Sequence, residues 1–384
     1  MTVELDQLLT AAHQEAVSSL SEWLRIPSIS TVPAHAGDVR RAAQWIADYL
    51  ERAGIASQVW RTSGHPAVFA RMPASPDAPT VLIYGHFDVQ PTGDLSRWTT
   101  PPFEPAIRDG RLFARGVADD KGQFFAHVLA CAAWKRVGNC PVNVKLLCEG
   151  EEEIGSPNLA ELLQQRKKEL ACDVVVVSDS PLWKPARPAI SLGTRGITGL
   201  EILVTGPNRD LHSGIFGGSV PNPIAVLCRM LAHLHDPEQR VAVPGFYDRV
   251  KPTPPDLRDQ WKILSDEVAS DAQTLGAPLV GEEGCSTLER RWLRPTLEFN
   301  GITGGYQGEG SNTIVPGVAS AKITCRLVPD QDPDEIQSLV VQHLKSIAPS
   351  YVKPEFILRK LGAPAYSIDP DHRGLQAAAR AMAD

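Results

Sequence analysis

Apolar residues recur at helical spacing along one stretch of the chain: Ala42, Ile46, Tyr49, Leu50 and Ala53 share a face, and Gly54 follows as a stop signal. Strand-like runs come next at 57–62, 67–72 and 80–89. A helical pattern covers about 121–137 and ends before Gly138. Further strand-like runs lie at 143–148 and 173–178. The valines of the second are consecutive, which predicts a strand covered on both faces. Alternation of this kind predicts an α/β domain with a mostly parallel sheet covered by helices. After about residue 194 the pattern changes. A strand (199–205), a helix (223–235), a long Pro-rich stretch, two strands (296–302 and 321–328), a helix (333–347) and a strand (355–361) follow. Their order is β-α-β-β-α-β, the ferredoxin-like split βαβ arrangement. The expected organisation is therefore a first domain over 1–194, a second domain inserted over 195–365, and a return to the first over 366–384. The returning stretch carries a helix at 373–382 and breaks off in mid-pattern.

Composition narrows the picture. At 384 residues there is room for two or three domains and a substantial core. A net charge of −7 and a pI near 5.8 argue against nucleic acid or an anionic membrane as partner. No apolar run approaches the roughly 18 residues of a membrane span. The N-terminal sequence MTVELDQLLTAAHQEAVSSL reads as an amphipathic helix and not as a secretory leader. Seven cysteines (Cys131, Cys140, Cys148, Cys172, Cys228, Cys285 and Cys325) are scattered, with no C-x-x-C. Buried free thiols and a cytoplasmic location are expected.

Four segments carry chemistry, each at the carboxyl end of an expected strand or opening a helix, where open α/β sheets place their ligand sites. In VLIYGHFDVQP, His86 and Asp88 are two apart on extended chain and can point the same way. An imidazole suits zinc, and a nearby carboxylate can fix its tautomer. A strand-end histidine held by ordinary hydrogen bonds is the alternative. In RGVADDKGQ, Asp119 and Asp120 precede a helix, where a solvated N-terminal cap competes with a metal-bridging carboxylate. In LLCEGEEEIGS, the acidic run reads either as a solvated turn or as a division of labour, with Glu152 a general base and Glu153 a metal ligand. In VVVVSDS, Asp179 is a candidate ligand or a turn former.

Taken in order, YGHFDVQP, RGVADDKG, CEGEEEIGS and VVSDS resemble the di-zinc metallopeptidase family. That family includes carnosinases, cytosolic nonspecific dipeptidases, glutamate carboxypeptidases, acetylornithine deacetylases and succinyl-diaminopimelate desuccinylases. The joint occurrence of GHxDVQP, DDKG and EExGS places the resemblance nearest the dipeptidase and carnosinase branch. It covers nearly the whole chain. It implies a catalytic domain holding two Zn²⁺ (Mn²⁺ or Co²⁺ as substitutes) and an inserted lid and dimerisation domain. His86, Asp119 and Asp179 are implied to hold one zinc. Asp119 bridges to a second, bound also by Glu153. Asp88 orients His86, and Glu152 is the general base. In NRDLHSGIFGG, His212 matches a lid histidine that reaches the neighbouring subunit's site in a homodimer and stabilises the oxyanion; a turn-capping histidine is the alternative. GSNTIVP and ITCRLVP place Thr313 and Arg326 where dipeptidases hold the substrate carboxylate and backbone; a sheet-surface arginine is the alternative for Arg326.

The implied activity is hydrolysis of an amide bond in a dipeptide or small peptide with a free carboxylate, as a dipeptidase or carboxypeptidase. An N-acyl-amino-acid deacylase would use the same metals and base, and an inactive member would serve as a binding module. Two departures stand out. The family's second zinc takes a further histidine from a late loop, and the latest histidine here, His372, does not match it. The resemblance therefore implies that these residues are the N-terminal part of a longer polypeptide. Some relatives also bind substrate with a histidine after the last lid strand, where this chain reads Lys360-Leu361-Gly362.

Overall fold

The computed structural model describes residues 2–180, 183–184, 187–358 and 362–383. The chain divides into two compact units, Met1–Ala189 and Ile190–Asp384. In the first, strands β1 (Ala56–Trp60), β2 (Ala67–Met72), β3 (Thr80–His86), β4 (Asn143–Glu149) and β5 (Val174–Val177) form a sheet in the order β1-β2-β4-β3-β5. β3 runs parallel to β4 and β5, and β2 pairs antiparallel with β1 and β4. Helices α1 (His13–Leu24), α2 (Ala36–Arg52) and α3 (Lys121–Val137) accompany it. On α2 the buried positions Val39, Ala42, Ala43, Ile46, Ala47 and Leu50 recur every three or four residues, so one stripe faces the core. Complete burial of Ile46 or Leu50 contributes about 1.5–3 kcal/mol each. Phe124, Phe125, Val128 and Cys131 of α3 join the same core, where Trp23 stacks on Trp45.

The valine run differs from its expectation. β5 lies at the sheet edge, and Val175 and Val177 are 54% and 56% exposed. Consecutive apolar residues match a doubly covered strand, but exposure depends on what packs against the outer face, which strand composition does not encode. The thiols also differ: Cys131, Cys148 and Cys325 are buried, whereas Cys172 and Cys228 are exposed, and all seven are free.

In the second unit, β6 (Gly196–Thr205), α4 (Pro223–Ala232), β7 (Thr296–Gly304), β8 (Val318–Leu327), α5 (Pro333–Ile347) and β9 (Glu355–Leu358) follow in the expected β-α-β-β-α-β order. The sheet order is β7-β8-β6-β9, every pair antiparallel. β8 buries alternate residues, and α4 and α5 supply Val226, Leu227, Ile336 and Val340 to the core beneath. Both helices start on a side-chain cap followed by proline, Asn222-Pro223 and Asp332-Pro333. The Pro-rich stretch between α4 and β7 contains short helices, tied by Arg258–Glu289 and Arg294–Glu282 pairs. The expected strand end at 359–361, with Lys360 and Leu361, lies outside the described residues. Among the described residues no helix is long and apolar enough to cross a membrane.

Candidate metal centre

Sheet register brings the acidic segments together. His86 ends β3 opposite Glu149, the last residue of β4, and Tyr84 is opposite Val177 of β5. Counting two residues onward on each chain sets Asp179 level with His86. Parallel strands thus deliver three segments to one sheet edge. The turn before α3 adds Asp119 and Asp120.

The fully buried His86 imidazole is the centre of the cluster. Its Nε2 lies 3.1 Å from Asp119 Oδ1, 3.6 Å from Asp179 Oδ2 and 4.0 Å from Glu152 Oε2. Its Nδ1 donates to the backbone carbonyl of Asp88 at 3.1 Å. That bond leaves the Nε2 lone pair of the neutral ring for a cation. Burial alone would depress the imidazole's pKa, but the carboxylates of Asp119, Asp179 and Asp88 override it and hold the ring well above its usual range. The His86 hydrogen bond in turn lowers Asp119.

Among the described residues, His86, Asp119 and Asp179 each offer a ligand atom within 4.8 Å of the others. Ligand atoms about 2.0–2.2 Å from a tetrahedral zinc lie roughly 3.3–3.6 Å apart. The two measured separations from His86 Nε2, 3.1 and 3.6 Å, are close to that value. The donor set, one imidazole and two carboxylates, also suits zinc. The residues present therefore fit a metal ion.

The remaining carboxylates fall into distinct environments. Asp88 is wholly buried, and its two oxygens accept from the backbone N–H groups of Glu152 (3.2 Å) and Glu153 (3.1 Å). Its carboxylate is 3.4 Å from His86 Nδ1. Burial pushes Glu152 up to about 7, with Asp179, Glu153 and Asp88 adding to the rise. Glu153 lies outside the three-residue group; Gln90 Nε2 donates to its Oε2 at 2.7 Å, and burial raises its pKa. Asp120, also buried, accepts from the His86 N–H at 3.2 Å, and burial pushes its carboxyl up to about 7. Gly85 makes room for this contact, since a Cβ there would come within 2.4 Å of Asp120 Oδ2. Gln90 is not a site residue in the sequence reading, although it lies inside the GHFDVQP motif, and Asp120 is named there only beside Asp119, with no role of its own.

His212, Thr313 and Arg326 belong to the second unit. His212 is exposed, and Gly214 N–H donates to its Nδ1 at 3.0 Å, which places the ring proton of the neutral form on Nε2. It thus caps a turn and still presents a donor. Ser213 N–H donates to the Thr313 carbonyl at 2.9 Å, so His212 and Thr313 lie on adjacent segments of a short antiparallel pair. Arg326 is exposed on β8 opposite Ile197. His372 accepts from Gly374 N–H at 3.2 Å and is not in the metal-ligand group.

Comparison with known proteins adds a second line. The profile of "Peptidase family M20/M25/M40" matches residues 82–384. The Cys-Gly metallodipeptidase dug1 of Schizosaccharomyces pombe is 31% identical over 365 residues, covering 90% of this chain and 77% of that protein. The human Beta-Ala-His dipeptidase is 31% identical over 360 residues, covering 89% of this chain and 71% of that protein. The crystal structure of an M20 family metallo-carboxypeptidase from Sulfolobus solfataricus superposes with a TM-score of 0.84 at 32% identity, over 96% of this chain and 83% of that one.

Proposed function

This chain belongs to peptidase family M20/M25/M40, and from that premise we propose that it is a zinc-dependent hydrolase of dipeptides or small peptides bearing a free carboxylate. The observation that carries the reading is the meeting of His86, Asp119 and Asp179 on one sheet edge with Glu152 alongside. The relatives named for Cys-Gly and Beta-Ala-His dipeptides suggest the substrate class.

His86, Asp119 and Asp179 would hold one zinc, and Asp119 and Glu153 would serve a second. Zinc there would supply an acidified water and a Lewis acid for the scissile carbonyl. Glu152 accepts the proton of the attacking water and passes it to the leaving amine. Its side chain is partly exposed, which suits a proton shuttle, and without a metal burial raises its pKa to about 7. His86 is locked by its Nδ1 bond. His212 donates from Nε2 to the developing oxyanion of a partner copy in a homodimer, and Arg326 and Thr313 grip the substrate carboxylate and backbone. A cytoplasmic location accords with the seven free thiols.

A panel of free dipeptides set against N-acetyl and N-succinyl amino acids tests the reading. Turnover of the dipeptides with little on the acyl amino acids is expected. The reverse preference points to a deacylase, and zinc binding without turnover of either class points to a binding module.

A further inference from the structure

One short segment, residues 23–30, bonds directly to the loop after β3 and to the first residue of α3, and reaches the loop after β4 through His65. Lys121, the first residue of α3 and fully buried, sends its Nζ to the carbonyls of Trp23 at 3.1 Å and Ile26 at 3.0 Å. This fixes the turn that carries Asp119 and Asp120. Ser28, also fully buried, donates from Oγ to the Phe87 carbonyl at 2.6 Å, and its own carbonyl accepts from Val89 N–H at 2.9 Å. These two bonds bracket Asp88 and follow directly on His86. Ser30 offers its carbonyl to His65 Nε2 at 3.2 Å, and His65 N–H donates to Glu151 Oε1 at 2.8 Å, next to Glu152. The segment is itself anchored, since Trp23 Nε1 donates to the Ala42 carbonyl of α2 at 3.0 Å.

Burying a lysine is costly, and placing it at the first position of a helix sets a cation against the helix dipole. Helix stability cannot explain that choice. The carbonyls it meets lie at the C-terminal end of α1, which favours a cation. Lys121 therefore serves the junction between α1 and the Asp119 turn at the expense of its own helix.

We propose that residues 23–30 form a buried splint that sets the metal-ligand loops in register, with Ser28 and Lys121 as positioning residues for the centre. The proposal rests on the metal-centre reading above. The hydrogen bonds of both side chains go to backbone carbonyls and to none of the ligand side chains, so each acts on the backbone beside a ligand. Partners that orient ligands in this indirect way are commonly worth roughly 10–100-fold in metal affinity.

The test uses the whole chain in three variants: Ser28→Ala, Lys121→Met and Leu50→Ala. Leu50 is a core residue of α2 and serves as a control for lost stability alone. Each purified protein is stripped with chelator and titrated with zinc against a competing dye at a temperature where all three are folded. The cobalt(II) ligand-field spectrum of each is recorded as well. Ser28→Ala and Lys121→Met are expected to bind zinc about tenfold or more weakly and to give altered cobalt spectra, while Leu50→Ala lowers Tm but matches wild type in both. Should Lys121→Met fail to fold, Ser28→Ala, which removes a single oxygen, decides alone. Affinities within about twofold of wild type in the positioning variants, or an equal loss in Leu50→Ala, overturn the proposal. A wild-type protein that binds no zinc overturns the metal-centre reading beneath it, and the proposal with it.

Discussion

Replacing Glu152 by glutamine keeps the shape of the side chain and removes its ability to accept a proton. The backbone N–H of residue 152 still reaches Asp88, so the loop keeps its anchor. Glu152 is not one of the three clustered ligand residues, so zinc binding should persist. In the metal-free protein burial holds the carboxyl near 7, about half protonated at neutral pH. Cations nearby favour the ionised form and bring it below that value. A base works only when ionised, so kcat/KM of wild type should rise with pH on the acid side as Glu152 loses its proton. In the variant kcat should fall by about 10²–10⁴, or roughly 3–5.5 kcal/mol on the barrier, with that acid limb gone. Steady-state hydrolysis of a dipeptide, with zinc per protomer measured on the same sample, is the assay. Turnover above a tenth of wild type with zinc in place would refute the assignment; loss of zinc would show that Glu152 is a ligand and not the base.

Asp88→Asn should cut kcat/KM by about ten- to a hundredfold, because an amide has one acceptor oxygen for two converging N–H groups and each charge-assisted bond is worth about 1.5–3 kcal/mol; a change under threefold on the same assay counts against it. His212→Ala should lower kcat by about 10²–10³ with zinc content unchanged. Mixed with Glu152→Gln it should regain activity in heterodimers, and a mixture shown to contain heterodimers yet inactive excludes sharing of sites. In the second unit, burial would raise Glu289, but the Ser286 backbone N–H and Arg258 outweigh it and bring the carboxyl down to about 2. Its folded pKa lies below its unfolded one, so its stabilisation is present above about pH 4.5 and fades as pH falls towards 2. Glu289→Gln should lower the unfolding midpoint by roughly 4–8 °C at pH 7, from about 2 kcal/mol, and by much less near pH 2; an equal drop at both values contradicts the ion-pair account.

Much of the fold was legible because its periodicities are local. The buried stripe of α2 and the alternation of β8 are written at spacings of three to four and of two, and the β-α-β-β-α-β order follows from them. The cluster was legible where strand ends punctuate apolar runs, as at His86 and Asp179. Tertiary contact decided the rest. Val175 and Val177 look like core residues until the sheet order puts them at an edge. Ser28 and Lys121 look like an ordinary loop serine and a solvated helix lysine, and only packing shows both to be wholly buried. No spacing rule links residue 28 to residue 87 or residue 121 to residue 23. The bond from Gln90 to Glu153 likewise joins two motifs that meet only across the sheet edge.

Metal-dependent turnover of a free dipeptide decides most directly whether this chain is a zinc peptidase. Chelator-stripped protein should be inactive and regain hydrolysis in proportion to zinc added back, while His86→Ala, treated in the same way, should stay inactive. Hydrolysis that survives chelation, or that persists in His86→Ala, contradicts the assignment.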